Sequence, residues 1–132
     1  MEIVIDTSAI IAVVLEEPER DALIEAAASN ELVAPPSVHW EMGNAFSAMF
    51  KQRRFTLLAA RRALASYGAI PIRFSNVDLD RALEIAHALK IYAYDAYVIA
   101  CALQHRCPVL SIDRGLVRAA NEAGVKTLEV GA

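Results

Sequence analysis

Two kinds of apolar pattern alternate along the chain. Short runs rich in β-branched residues, such as residues 3–5 and 109–112, are typical of buried strands. Between them, apolar residues recur every three or four positions, which is typical of helices. The pattern predicts strands at 2–5, 31–34, 69–74, 108–112 and 126–130. It predicts helices at about 9–15, 19–29, 38–51, 57–67, 78–88, 94–105 and 114–123.

Residues that start and stop helices support these boundaries. Ser8, Ser37 and Thr56 stand where a hydroxyl can accept a hydrogen bond from the first helical turn. Gly68 and Gly124 stand just beyond predicted helix ends, where glycine is favoured. We therefore expect N-caps at the three hydroxyl residues and helix ends at the two glycines.

The alternation of strands and helices predicts a single α/β domain over residues 1–132. Its central, mainly parallel sheet is expected to be flanked by helices on both faces. Right-handed crossovers place the carboxyl ends of parallel strands at one edge, where ligands bind in such folds. The order of the strands does not follow from the pattern.

Four acidic residues fall where this edge is expected. Asp6 and Asp113 directly follow predicted strands, and Glu41 and Asp95 lie near the starts of predicted helices. Four carboxylates at one edge repel one another and raise each other's pKa. A divalent cation removes the conflict, and oxygen ligands without Cys or His favour Mg²⁺ or Mn²⁺ over zinc. The sequence therefore predicts a metal pocket formed by these four acids.

Each acid also has a purely structural interpretation. Asp6 and Asp95 could be helix N-caps, and Asp113 could be an ordinary loop residue. Glu41 could be a solvated helix residue, or part of a capping box that begins near Ser37. The joint placement of all four residues favours the metal pocket over four unrelated structural roles.

Composition limits the remaining choices. The chain is 56% hydrophobic with a formal net charge of −3, so nucleic-acid binding would need a local basic patch. Cys101 and Cys107 lack the spacing of metal ligands and indicate a reduced, intracellular protein. The N-terminal residues lack the basic segment of a signal peptide, and no apolar run approaches the roughly 20 residues that span a bilayer.

Basic and aromatic residues offer candidate contacts for a substrate. Arg114 directly follows Asp113, and Arg118 lies one helical turn later, so Arg114 is the best candidate for a phosphate contact. The aromatic residues Trp40, Tyr92, Tyr94 and Tyr97 could stack on bases, although aromatic residues at helical spacing are more often core or interface. The cations Lys51, Arg53, Arg54, Arg61 and Arg62 could bind phosphates or be ordinary surface residues, and the cluster from Lys51 to Arg54 could equally meet an acidic partner.

Four segments, in sequence order, resemble those of PIN-domain proteins. They are IVIDTSAII around Asp6, the pair Glu41-x-x-Asn44, YDAYVIACAL around Asp95 and LSIDRGL around Asp113. In layout the chain is most similar to the toxins of VapBC toxin–antitoxin pairs, and the resemblance covers essentially its whole length. Many relatives have threonine where this chain has Ser111, so the hydroxyl is retained.

The resemblance implies a cytoplasmic endoribonuclease that depends on Mg²⁺ or Mn²⁺. Asp6 and Asp95 would be the main metal ligands, and Glu41 and Asp113 would complete the pocket directly or through water. The supporting polar groups would be Thr7, Ser8, Asn44 and Ser111. The implied partners are RNA, a VapB-like antitoxin and a second copy of the chain in a homodimer, without a membrane.

Three other functions fit part of the sequence. A receiver-like signalling domain needs paired acids after its first strand and a lysine after its last, but Asp6 stands alone and Lys126 precedes the last predicted strand. A haloacid-type phosphatase needs a second aspartate where this chain has Ser8. A PIN-like module that only binds a partner is the third alternative, and the complete set of four acids argues against it.

Overall fold

The computed structural model describes residues 1–130, which form four strands and seven helices. The strands are β1 (Glu2–Ile5), β2 (Glu31–Ala34), β3 (Ile72–Phe74) and β4 (Val109–Leu110). The helices are α1 (Thr7–Val14), α2 (Arg20–Ala27), α3 (Ser37–Lys51), α4 (Leu57–Gly68), α5 (Leu79–Leu89), α6 (Ala93–His105) and α7 (Arg114–Glu122).

The four strands form one sheet in the order β3-β2-β1-β4, and all three pairings are parallel. Val4 of the central strand β1 lies opposite Val33 of β2 and Val109 of β4. The carboxyl ends of β1 and β4 are therefore neighbours. This arrangement confirms the predicted parallel sheet and places the residues that follow these two strands side by side.

Alternate residues of β1 face two different cores. Val4 packs in a cluster with buried residues of α5, α6 and α7. Ile3 and Ile5 point the other way and pack with buried residues of α1, α2, α3 and α4. Because all three side chains are at most 3% exposed, helices cover both faces of the sheet as predicted.

Two of the predicted helix boundaries are confirmed. The Thr56 hydroxyl oxygen accepts a hydrogen bond from the amide of Ala59 at 3.1 Å and caps α4. Gly124 follows α7 with a φ of 82°, the left-handed conformation that favours glycine at a helix end.

Three other predicted boundaries are wrong. Asp6, not Ser8, caps α1, because the residue that leaves β1 already has the extended conformation of an N-cap. Ser37 does not cap α3, because Pro36 is already helical and Ser37 is the first residue of the helix. Gly68 is the last residue of α4 instead of the residue beyond it.

The last predicted strand, 126–130, is also wrong. It is reduced to one parallel bridge between Val109 and Thr127. The amide of Val109 donates to the carbonyl of Lys126 at 2.9 Å, and its carbonyl accepts from the amide of Leu128 at 3.0 Å. Since β4 has only two residues, only Val109 is available to pair with the segment 126–130. β4 stops early because the Ile112 amide donates to the Ser8 hydroxyl, not to a neighbouring strand.

Two further expectations concern the cysteines and the membrane. Both cysteines are free thiols, and burial raises the pKa of Cys101 to about 12, so this thiol stays protonated and unreactive. Within residues 1–130, no helix combines the length and the apolar character needed to cross a bilayer.

Candidate active site

Asp6 is the most deeply buried acid of the candidate site, with 4% of its surface exposed. Its Oδ2 atom accepts hydrogen bonds from the Ser8 hydroxyl at 2.7 Å, the Ser111 hydroxyl at 2.8 Å and the Ser8 amide at 3.4 Å. Burial raises the pKa of Asp6, and the two serine hydroxyls oppose this shift. These three bonds all fall on Oδ2, which leaves Oδ1 as the candidate ligand oxygen.

The two serines connect the ends of β1 and β4 through Asp6. Each hydroxyl uses its one proton on Asp6 and accepts a backbone amide, Ser8 from Ile112 at 3.2 Å and Ser111 from Asp113 at 3.0 Å. With both hydroxyl protons directed at Asp6, the two serine oxygens lie 3.2 Å apart without a hydrogen bond between them. Two hydroxyl donors on one oxygen favour the charged form of Asp6.

Glu41 reaches the same region from α3. Its Oε1 atom accepts a hydrogen bond from the buried Thr7 hydroxyl at 2.6 Å. Burial raises the pKa of Glu41, the Thr7 hydrogen bond opposes this, and the charges of the three other acids raise it further. Glu41 is thus a half-buried residue with a specific partner, not the solvated helix residue of the structural alternative.

Asp95 lies in the first turn of α6. The N-cap of this helix is Tyr92, so Asp95 does not have the capping role that was its structural alternative. Burial and the nearby charges of Asp113 and Asp6 raise the pKa of Asp95 to about 6. The charged form of Asp95 is therefore less favourable in the folded protein than in water.

Asp113 is the most exposed of the four acids and caps α7. Its Oδ1 atom accepts hydrogen bonds from the amides of Gly115 at 2.9 Å and Leu116 at 3.3 Å. Oδ2 remains for another contact. Asp113 is therefore a structural residue whose second oxygen is available to the site.

The charges of the three other acids raise the pKa of Glu41, and those of Asp113 and Asp6 raise the pKa of Asp95, so the four acids lie in one region. Among residues 1–130, however, no three Asp, Glu, His or Cys side chains are close enough to hold one metal ion together. Asp6, Glu41 and Asp113 each direct one oxygen to protein donors instead. The four acids share one region but do not form a closed cage of ligands.

A comparison with protein-family profiles matches residues 3–122 to the PIN domain. The chain belongs to the PIN domain family. This match separates this protein from the receiver-like and phosphatase alternatives.

Three solved structures are similar to this PIN domain. PAE2754 from Pyrobaculum aerophilum has a TM-score of 0.73 and 22% identity, over 96% of this chain and 83% of that one. VapBC2 from Rickettsia felis, bound to a DNA fragment from their promoter, has a TM-score of 0.67 and 10% identity, over 99% of this chain and 100% of that one. FitAcB from Neisseria gonorrhoeae has a TM-score of 0.57 and 18% identity, over 96% of each chain. At these identities the likeness shows the fold alone. A comparison with curated protein sequences found no match.

The donor set of this PIN domain fits Mg²⁺ or Mn²⁺. All four candidate ligands are carboxylates, which these ions prefer. Mg²⁺ in proteins commonly keeps several waters and binds one or two carboxylates together with substrate phosphates. An arrangement without a cage of three side chains is compatible with this mode of binding.

The remaining predicted site residues lie on the surface of the PIN domain. Asn44 is exposed one turn after Glu41 on α3, and its side chain makes no hydrogen bond within the described residues, so its supporting role stays a prediction. Arg114 is the exposed first residue of α7 and forms no salt bridge within residues 1–130. Sequence reasoning missed Lys90, which shares a groove with Asp95. The available signal was its position just before the helix that carries Asp95.

Proposed function

We propose that this PIN domain is an endoribonuclease that depends on Mg²⁺ or Mn²⁺ and is the toxin of a toxin–antitoxin pair. The observation that carries the proposal is the group of four acids at the carboxyl edge of the sheet. Burial and the neighbouring acids raise the pKa of Glu41 and of Asp95. A divalent cation offsets such repulsion, so this group favours cation binding.

In this proposal, Asp6 and Asp95 are the main metal ligands, and Asp6 uses Oδ1. Glu41 and Asp113 complete the pocket directly or through water, since each has one oxygen engaged by the protein. The bound ion would supply Lewis-acid chemistry, which lowers the pKa of a coordinated water and neutralises phosphate charge.

The chain's own residues would prepare the reaction. Ser8 and Ser111 hold Asp6 in one orientation, and Thr7 holds Glu41. Asp6 or Asp95 accepts the proton of the attacking water, which adds to phosphorus in line with the P–O bond that breaks.

The proposal of a toxin draws on two similar structures. VapBC2 from Rickettsia felis and a toxin–antitoxin complex from Klebsiella pneumoniae both share the fold, the latter with a TM-score of 0.58 and 16% identity. We infer a VapB-like antitoxin and a homodimer, both acting in the cytoplasm. Exposed apolar side chains on α3, α4 and α5 support such contacts. They are Trp40, Leu57, Leu58, Leu64, Leu79 and Leu83.

Cleavage of labelled RNA by the purified, antitoxin-free protein tests the nuclease. We expect cleavage in Mg²⁺ or Mn²⁺ and none in EDTA. Asp6→Asn and Asp95→Asn should abolish cleavage while circular dichroism shows a folded protein. Asp80→Asn, on the exposed surface of α5, is the matched control and should be fully active.

Two results would contradict the nuclease. Full activity of both Asp6→Asn and Asp95→Asn would place catalysis outside these acids. Absence of cleavage by the folded wild-type protein in Mg²⁺ and in Mn²⁺ would favour the module that only binds a partner.

Growth of cells that express the protein tests the toxin. We expect expression to slow growth, the Asp6→Asn variant to be harmless, and co-expression of a small neighbouring gene to restore growth. Normal growth with abundant wild-type protein would contradict the toxin but leave the nuclease standing.

A further inference from the structure

Two grooves lie on either side of α7, next to the candidate active site. The first, which we call the Tyr92 groove, has a volume of about 330 Å³. The second, the C-terminal groove, has a volume of about 680 Å³. Both volumes lie in the range of small-ligand sites. The Tyr92 groove is lined by Lys90, Tyr92, Asp95, Gly115, Arg118 and Glu122, among others. The C-terminal groove is lined by Glu19, Ser111, Arg114, Arg118, Thr127 and Glu129, among others.

Residues of the acidic site line both grooves. Asp95, a proposed metal ligand, lies in the Tyr92 groove, and Ser111, which orients Asp6, lies in the C-terminal groove. Arg118 lines both. A strand that crosses the acids can therefore continue into a groove on each side.

Tyr92 is a large aromatic residue that the protein leaves in solvent. It is 87% exposed, the highest value among the exposed large hydrophobic residues. It is also the N-cap of α6 and makes no side-chain capping hydrogen bond. Neither the core nor the helix requires this ring. An exposed ring beside a catalytic acid is suited to stack on a base.

Cations in the two grooves are available for phosphates. Lys90, Arg114 and Arg118 are exposed, and none of them forms a salt bridge within the part of the chain that the structure describes. With a net charge of −3, this protein cannot attract RNA through its total charge. Local cations of this kind are required for phosphate binding.

We propose that the two grooves bind single-stranded RNA on either side of the cleaved bond, with Tyr92 stacked on one base and Arg118 and Lys90 on phosphates. This inference rests on the nuclease function proposed above and adds the residues of this chain that hold the RNA on either side of the cleaved bond. A base must leave its helix to stack on a protein ring, and the bases of duplex RNA are already stacked on one another. Duplex RNA is therefore excluded from the Tyr92 groove.

Substitution of Tyr92, combined with abasic RNA, tests the stacking contact. The cleavage site is first mapped on a short single-stranded RNA of mixed sequence. Each neighbouring nucleotide is then replaced in turn by an abasic one. We expect Tyr92→Ala to raise KM about tenfold with little change in kcat, whereas Tyr92→Phe keeps the wild-type KM.

The abasic series identifies the partner of the ring. At one position, the abasic nucleotide should raise the KM of the wild-type enzyme but not that of Tyr92→Ala, because the two changes remove the same contact. Equal effects of Tyr92→Ala and Tyr92→Phe on KM would overturn stacking. So would a series in which, at every position, the abasic nucleotide raises the KM of Tyr92→Ala as much as that of the wild-type enzyme.

Salt dependence tests the phosphate contact. Arg118→Ala should weaken binding of single-stranded RNA and reduce the slope of log K against log salt by about 0.7, the value for one phosphate contact on a single strand. Arg81→Ala, on α5, is the control, because Arg81 pairs with Glu84 and lines neither groove. A slope for Arg118→Ala equal to that of the control would overturn this contact.

The outcomes separate this inference from the proposed function. If the wild-type protein cleaves RNA but cleaves a duplex as readily as a single strand, the grooves do not select the substrate. If Tyr92→Ala and Arg118→Ala both cleave single-stranded RNA like the wild-type enzyme, the inference fails and the nuclease remains. If the wild-type protein cleaves no RNA, the nuclease itself fails.

Discussion

Asp6 combines two roles that are usually considered alternatives. Its carboxylate caps α1 through the Ser8 amide and also accepts the hydroxyls of Ser8 and Ser111. All of these hydrogen bonds fall on Oδ2 and leave Oδ1 for the proposed metal, so capping of α1 does not conflict with a ligand role. The sequence predicts a helix start at this point, but it does not distinguish which of three adjacent polar residues caps the helix.

Asp95 should make the metal-free protein less stable at neutral pH. Its pKa is about 6 in the folded protein, above the ordinary value of 3.8, so the charged form is penalised by folding. The penalty is complete above pH 6 and disappears below pH 3.8. In EDTA at pH 7.5, Asp95→Asn should stabilise the fold by about 1 kcal/mol, or ~3 °C in Tm, since the group is half exposed.

Thermal unfolding at two pH values checks this prediction. The gain in Tm of Asp95→Asn should shrink towards zero at pH 4, while Asp80→Asn shows no gain at either pH. A gain of equal size at both pH values would show that the substitution acts through something other than charge.

Ser111 should stabilise the fold through its hydroxyl. Ser111→Ala removes a donor from the buried Asp6 carboxylate and an acceptor from the Asp113 amide, which should cost about 1–3 kcal/mol. Ser111→Thr keeps the hydroxyl and should remain close to the wild-type protein. Urea unfolding of the two variants measures the difference, and equal stabilities would argue against these hydrogen bonds.

At the scale of elements, the end of each strand determines where an acid lies. The sequence predicts the parallel strands, and their carboxyl ends place Asp6 and Asp113 at one edge. It does not predict the strand order, because pairing depends on contacts between distant segments. It also overestimates the strand at 126–130, because β4 stops after two residues and offers one residue for pairing.

The α7 helix allows the two roles of Asp113 to be separated. Asp113→Ala removes the N-cap and should destabilise the protein by about 1 kcal/mol, whereas Asp113→Asn keeps a capping oxygen and should be nearly neutral. If Asp113 also serves the metal pocket, both variants should lose cleavage activity. Unfolding and cleavage measured on the same preparations test this, and a fully active Asp113→Asn would restrict the residue to its structural role.

At the scale of the whole molecule, folding brings four acids from distant parts of the chain to one region. The sequence predicts their common location, and their mutual effects on pKa agree with it. The sequence does not predict that no three of these side chains, within residues 1–130, are close enough to share one ion. The distances between these side chains depend on the hydrogen bonds that each carboxylate makes and on repulsion between the carboxylates. Neither effect can be read from the positions of the residues along the chain.

Mg²⁺ should stabilise the whole fold. A ligand that binds only the folded protein adds about 1.4 kcal/mol at a tenfold excess over its Kd. We expect Mg²⁺ to raise the Tm of the wild-type protein and of Asp80→Asn, but not of Asp6→Asn or Asp95→Asn. Calorimetry with Mg²⁺, and with Na⁺ at the same ionic strength, measures the shift. An equal shift in all four proteins would show general screening, not a site.

The edges of the sheet determine how a chain that is 56% hydrophobic resists aggregation. β3, at one edge, is three residues long, follows Pro71 and contains Arg73, which pairs with Glu2. Short length, proline and charge all hinder the addition of another strand. At the other edge, the Val109–Thr127 bridge occupies the outer side of β4. Crowded copies of the protein should therefore associate through their helices, and fibres built by strand addition should be rare.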